Sequence, residues 1–169
     1  MLLHDPHMIP EPILVVSGLL YLFPAYYALL QKRTYSLATF SFLTFTTVGF
    51  HGTRSEILFA LDCVAILNFL VHNFYLSLAS SRAAALMFIV SVIYSTSSYF
   101  IGQRYTILSF HPDWNTQMFY HSLMHVSTAY SSYALLSAYP SKSVEPPLLL
   151  PCHLVLHPPV EQKEEGRKE

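Results

Sequence analysis

"FTTVGFHGTRSEILFALDCVA", residues 45–65, is apolar at both ends and carries His51, Arg54, Glu56 and Asp62 between them. His51 closes one apolar run, and Asp62 lies inside the next. The polar residues at 52–55 separate the two runs, so the stretch reads as the end of one helix, a tight turn and the start of another. A carboxylate inside an apolar helix is expensive unless a partner compensates it, and by default it faces the interior of a bundle and marks function.

The surrounding composition says what kind of helices these are. Of 169 residues, 53% are hydrophobic, 15% aromatic and 11% charged. Soluble domains carry about 25% charged residues, so this chain does not furnish a water-facing surface. The net charge of −1 gives no electrostatic basis for a nucleic-acid partner. Cys63 and Cys152 are too far apart for metal-type spacing and imply no disulfide framework. Cys63, within an apolar run, is expected as a small core residue. The opening MLLHDPHMIPEP lacks the positive region of a cleavable signal, so the first apolar run is expected as a retained span.

A spanning helix needs roughly 20 apolar residues. Five segments qualify as candidates: 12–30, 34–52, 56–78, 83–102 and 116–138. The expected architecture is therefore all-α, a multi-pass membrane helix bundle over residues 1–139, with the lipid bilayer as its surroundings. Residues 103–115 read as a polar loop, with Asp113 and Trp114 as an interfacial turn and an aromatic anchor. Residues 140–169 are rich in proline and end in EQKEEGRKE. They read as a disordered cytosolic tail.

With five spans, Lys32, Arg33, Arg82, Lys142, Lys163, Arg167 and Lys168 share one side, and Arg54 and Arg104 the other. The positive-inside rule then puts the N-terminus outside or lumenal and the C-terminus in the cytosol. At ~1.5 Å of rise per residue, Asp62 lies about 9 Å in from the outer side. His121 and His125 lie about 8 Å and about 14 Å in from the same side. His51 ends its own span there, whereas His72 falls near the cytosolic side.

This coincidence of depth defines a candidate site. His121 and His125 are four apart and share a helical face. Two imidazoles at that spacing can hold one metal ion, with His51 as a third ligand from another helix. Three histidines and water form the open tetrahedral arrangement of catalytic zinc. Asp62 can act on the water or orient a ligand. Thr47, one turn before His51, offers a hydroxyl on the same face. The bland readings are hydrogen-bonded packing for the histidines and a helix–helix contact for Asp62. Glu56 is expected to sit at the start of the third span, where an acid suits the helix dipole.

The pattern resembles the superfamily of alkaline ceramidases, adiponectin receptors and their relatives. In the ceramidases a Ser-x3-His ends the second span, an Asp follows eleven residues later, and a His-x3-His lies in the last span. Here Thr47-x3-His51, Asp62 and His121-x3-His125 stand at those spacings. The local match extends to Phe50-His51, Thr53, Glu56, Leu61-Asp62 and Ser131-Ser132-Tyr133. The stretch DWNTQMFYHSLMH, residues 113–125, is also similar to the myomaker-like branch, though the His51-to-Asp62 spacing fits the ceramidase branch better.

The resemblance implies a seven-helix zinc hydrolase that cleaves a lipid amide with a zinc-activated water. The implied ligands are His51, His121 and His125, with Asp62 as base and Thr47 as oxyanion donor. It also implies a membrane-lipid substrate of ceramide type and a place in the endoplasmic reticulum or Golgi, or else the plasma membrane. Three departures stand against it. Thr47 replaces the family serine. Asp5 and Glu11 do not reproduce the acidic calcium-binding pattern of the ceramidase N-terminus. Five spans stand where the family has seven, so this would be a truncated version of that fold, compatible with a homo-oligomer that closes its own pocket. Other readings are a non-catalytic, zinc-stabilised membrane protein, a receptor-like or degenerate relative, and a haem protein with histidine ligands. Haem usually takes ligands from facing helices, which fits the 121/125 pair poorly.

Overall fold

The computed structural model describes residues 11–140. The first helical segment comprises α1 (Pro12–Gly18), a 3-10 turn (Leu19–Tyr21) and α2 (Leu22–Leu30). It is followed by α3 (Thr34–Thr53), α4 (Glu56–Ala79), α5 (Arg82–Tyr105) and, after a 3-10 turn at Leu108–Phe110, α6 (Trp114–Ala138). No strand occurs among the described residues. The expected tail lies outside them from residue 141 onward.

Three of the five helical segments are long and apolar enough to cross a membrane: Pro12–Leu30, Glu56–Ala79 and Arg82–Tyr105. The other two, α3 and α6, do not reach that hydropathy because they carry the polar interior. From α3, Thr46, Thr47 and His51 are buried, and from α6, His125, Thr128 and Ser132.

Local chemistry sets the boundaries. Pro24 has no N–H to give the carbonyl of Leu20, and its ring crowds that carbonyl. The first segment tightens into its 3-10 turn beside this position. Arg54 ends α3 in the left-handed region, φ 57°, and its N–H returns to the Phe50 carbonyl at 2.7 Å. Ser55 is extended and starts α4. At the end of α5, a Cβ on Gly102 would stand 2.8 Å from the Ile107 carbonyl oxygen. Only glycine leaves room for the chain to fold back there. Asp113 caps α6 by accepting from the Thr116 amide at 2.8 Å. The expected loop at 103–115 is thus shorter than its polarity suggested: α5 runs through Tyr105, and a 3-10 turn fills part of the rest.

The helix α3 lies between the first segment and α4, and α6 packs on both α5 and the first segment. Tyr21, Phe40 and Phe69 meet edge to face, with ring centroids 5.8 Å (Tyr21–Phe69) and 6.0 Å (Phe40–Phe69) apart. Outward faces are apolar: Ile57, Val64, Leu67 and Leu78 of α4 are all exposed. Hydroxyls and imidazoles inside with aliphatic chains outside is the reverse of a water-soluble surface, and it suits an integral membrane protein. Cys63 departs from its expected core position. It is a free, exposed thiol, because it follows Asp62 by one residue and therefore points away from the side that buries the carboxylate.

At one end of the bundle Arg33, itself buried, donates to the carbonyls of Tyr139 (3.4 Å) and Pro140 (2.9 Å). Its guanidinium also stacks 4.6 Å above the Tyr139 ring. These contacts tie the α2–α3 turn to the end of α6 and satisfy carbonyls that have no partner within the helix. His72 lies toward this end, hydrogen-bonded to Ser36 at 2.9 Å and meeting Tyr35 edge to face at 4.8 Å.

Candidate metal centre

The opposite end of the bundle gathers the start of the first segment, the end of α3 and the starts of α4 and α6. His51 occupies the last turn of α3. His121 and His125 follow one another by a turn near the start of α6. Ring centroids are 5.1 Å apart for His51–His121, 5.5 Å for His51–His125 and 5.1 Å for His121–His125. One ligand nitrogen from each lies within 4.8 Å of the other two. His51 and His125 are buried, and His121 is half-buried. The three expected ligands are thus brought together, and they can hold a metal ion. An all-imidazole set suits a transition metal such as zinc, copper, iron or nickel, and three ligands leave a position open in a tetrahedral site.

Asp62 is buried on α4. Its Oδ1 accepts from Thr46 Oγ1 at 2.8 Å and from Thr47 Oγ1 at 2.7 Å. The carboxylate thereby acquires the partners that its cost in an apolar helix demands. The hydroxyl of Thr47, expected as an oxyanion donor, is directed onto Asp62. The first segment leans against this pair: a Cβ on Gly18 would stand 3.1 Å from Thr47 Cγ2.

Several participants were not visible as such in the sequence. Glu11 is buried and its Oε2 lies 2.9 Å from His51 Nδ1. Its Oε1 pairs with Arg54, and its backbone amide donates to the His51 carbonyl at 3.0 Å. Ser17 Oγ lies 2.9 Å from His125 Nδ1. The hydroxyl of Tyr21 lies 2.6 Å from Thr128 Oγ1, and its ring meets that of His125 at a tilt, with centroids 5.9 Å apart. One clue to Ser17 was present, since it is the lone hydroxyl in the apolar run PILVVSGLL. Nothing local singles out Glu11 or Thr46.

Beside Ser17 the first segment and α6 leave an apolar groove of about 440 Å³, lined by Pro12, Ile13, Val16, Ser17, Leu20 and Ser122.

No protein-family model, curated protein or solved structure matches this chain.

Proposed function

We propose that this chain is a five-span membrane hydrolase, a shortened relative of the seven-helix ceramidase-like fold, that uses zinc to cleave the amide bond of a ceramide-like lipid. The observation that carries the proposal is the convergence of His51, His121 and His125 on one point, with ligand atoms within 4.8 Å of one another, in a bundle with an apolar exterior. Zinc, when bound there, supplies Lewis acidity and a water acidified toward neutral pH.

The protein's own groups divide the remaining work. Both threonine hydroxyls fall on Asp62 Oδ1, which leaves Oδ2 to take the proton of the attacking water and return it to the leaving amine. Thr46 and Thr47 position that carboxylate. An acyl chain lies in the apolar groove beside Ser17, whose hydroxyl touches His125. The proposed orientation is N-terminus lumenal and C-terminus cytosolic, in the endoplasmic reticulum or Golgi.

A second reading has one observation in its favour. The Thr47 proton is committed to Asp62, and the three histidines pin α3 to α6, which is what a structural, non-catalytic zinc would do. Metal analysis of the purified protein together with turnover of a fluorescent ceramide separates the two. Stoichiometric zinc with hydrolysis supports the enzyme; stoichiometric zinc without hydrolysis leaves the structural role. A Soret band in the visible spectrum would replace both with a haem protein.

A further inference from the structure

Two of the three imidazoles have their Nδ1 atoms occupied, and both partners come from the first helical segment or the residue that opens it. Glu11 Oε2, a carboxylate oxygen, accepts at 2.9 Å from His51 Nδ1. That bond places the proton on Nδ1 and leaves Nε2 with its lone pair. The Ser17 hydroxyl has the Leu14 carbonyl as an acceptor at 3.2 Å; with its proton there, its oxygen accepts from His125 Nδ1 at 2.9 Å. That arrangement gives His125 the same tautomer as His51. With Nδ1 engaged in this way, each ring keeps Nε2 as the nitrogen free to ligate.

We propose that Glu11 and Ser17 are positioning residues of the metal centre, with Arg54 setting how much of the Glu11 charge reaches His51. Metal-binding imidazoles commonly donate their other N–H to a carboxylate or an oxygen, which fixes the ring and raises its basicity. Glu11 does so with one oxygen while Arg54 holds the other. The cation draws charge away from the His51 side, so the site's affinity is moderated rather than maximal. Glu11 also anchors the chain through its amide on the His51 carbonyl. The segment leading into the first span thus clamps the end of α3 with backbone and side chain together. This inference rests on the metal reading above.

The opposed actions of Glu11 and Arg54 give a test on the full-length protein in detergent, with zinc affinity and melting temperature measured together. Glu11→Ala should weaken zinc binding ~10–100-fold. Glu11→Gln keeps an acceptor without the charge and should fall between that variant and wild type; it carries the test if Glu11→Ala does not fold. Ser17→Ala should weaken binding in the same direction. Arg54→Gln retains a donor for Glu11 but removes the cation, so affinity should hold or rise even as the melting temperature drops. If Arg54→Gln loosens zinc in parallel with the Glu11 variants and with stability, Glu11 is merely a structural strap and the inference is overturned. Wild-type affinity in the Glu11 variants or in Ser17→Ala overturns it for that residue. A wild-type protein that takes up no zinc defeats the metal reading itself, and this inference with it.

Discussion

Thr47 Oγ1 stands 2.7 Å from Asp62 Oδ1 and donates to it, which joins α3 to α4 one turn before His51. A hydrogen bond to a charged group in a buried site is worth about 1.5–3 kcal/mol. Thr46 supplies a second donor to the same oxygen, so losing Thr47 alone leaves the carboxylate partly satisfied. Thr47→Ala is therefore expected to destabilise the bundle by about 1–3 kcal/mol in detergent unfolding, whereas Thr47→Ser retains the donor and most of that stability. Equal stability of wild type and Thr47→Ala would show that this bond contributes nothing.

Asp62→Asn keeps the shape of the side chain and removes the base. Zinc content is expected to stay at the wild-type level, while lipid-amide hydrolysis falls by ~10²–10⁴-fold. Thr47→Ser, which restores the hydroxyl of the ceramidase pattern, should preserve or raise turnover, and Thr47→Ala should lower it because the carboxylate loses a positioning donor. Unchanged hydrolysis in Asp62→Asn would remove Asp62 from the chemistry.

The two groups of histidine environments predict opposite metal phenotypes. His125→Ala removes one of three converging ligands and should abolish stoichiometric zinc. His72→Ala lies in the Ser36 and Tyr35 environment and should leave zinc in place while lowering the melting temperature. Elemental analysis of both purified variants decides the matter; loss of metal from His72→Ala alone would refute the ligand assignment.

The elements most readable in the sequence were those with the strongest pattern. Apolar runs bounded by Pro12, Thr34, Glu56 and Ala138 became helices with nearly those limits, and the four-residue spacing of His121 and His125 placed both rings on one face. Helix depth, computed from rise alone, brought His51 to the same end. What could not be read was partnership across helices. Glu11 and His51 are forty residues apart, and a proline-flanked acid ahead of a span looks like a solvated one. Hydropathy marks only the first segment, α4 and α5 as long and apolar enough to cross a membrane, because α3 and α6 carry the buried hydroxyls and imidazoles. Cys63 was misplaced because an apolar run lined by lipid reads the same as one lined by protein.

At the start of α6, hydrogen bonds from Thr116, its side chain foremost and then its backbone amide, hold the Asp113 carboxyl below its ordinary value of 3.8. A folded-state value below the unfolded one gives stability that is present above the unfolded value and is lost as pH falls through the folded one. Asparagine caps helices as well as aspartate does but does not titrate. Asp113→Asn should therefore melt close to wild type at neutral pH and lose less stability below about pH 3.8. Melting curves of the two proteins that stay parallel down to strongly acid pH would show that the cap does not depend on the charge.

The orientation of the bundle makes the last prediction. Arg33, at the turn after the first span, contacts the carbonyls of Tyr139 and Pro140, so that turn and the exit from α6 lie at one end. The histidines lie at the other, with Arg54 already paired to Glu11. Seven of the nine basic residues fall on the Arg33 side if all five helices span, and the excess of lysine and arginine is retained in the cytosol. A tag at the C-terminus should be cut by protease added to sealed right-side-out-to-cytosol microsomes, and a tag at the N-terminus should be protected. Lys32→Gln with Arg82→Gln should increase the fraction with inverted orientation, because short loops weigh more than a tail in setting topology. Protection of the C-terminal tag in the wild-type protein would place the histidine centre near the cytosolic leaflet and reverse the side from which its substrate arrives.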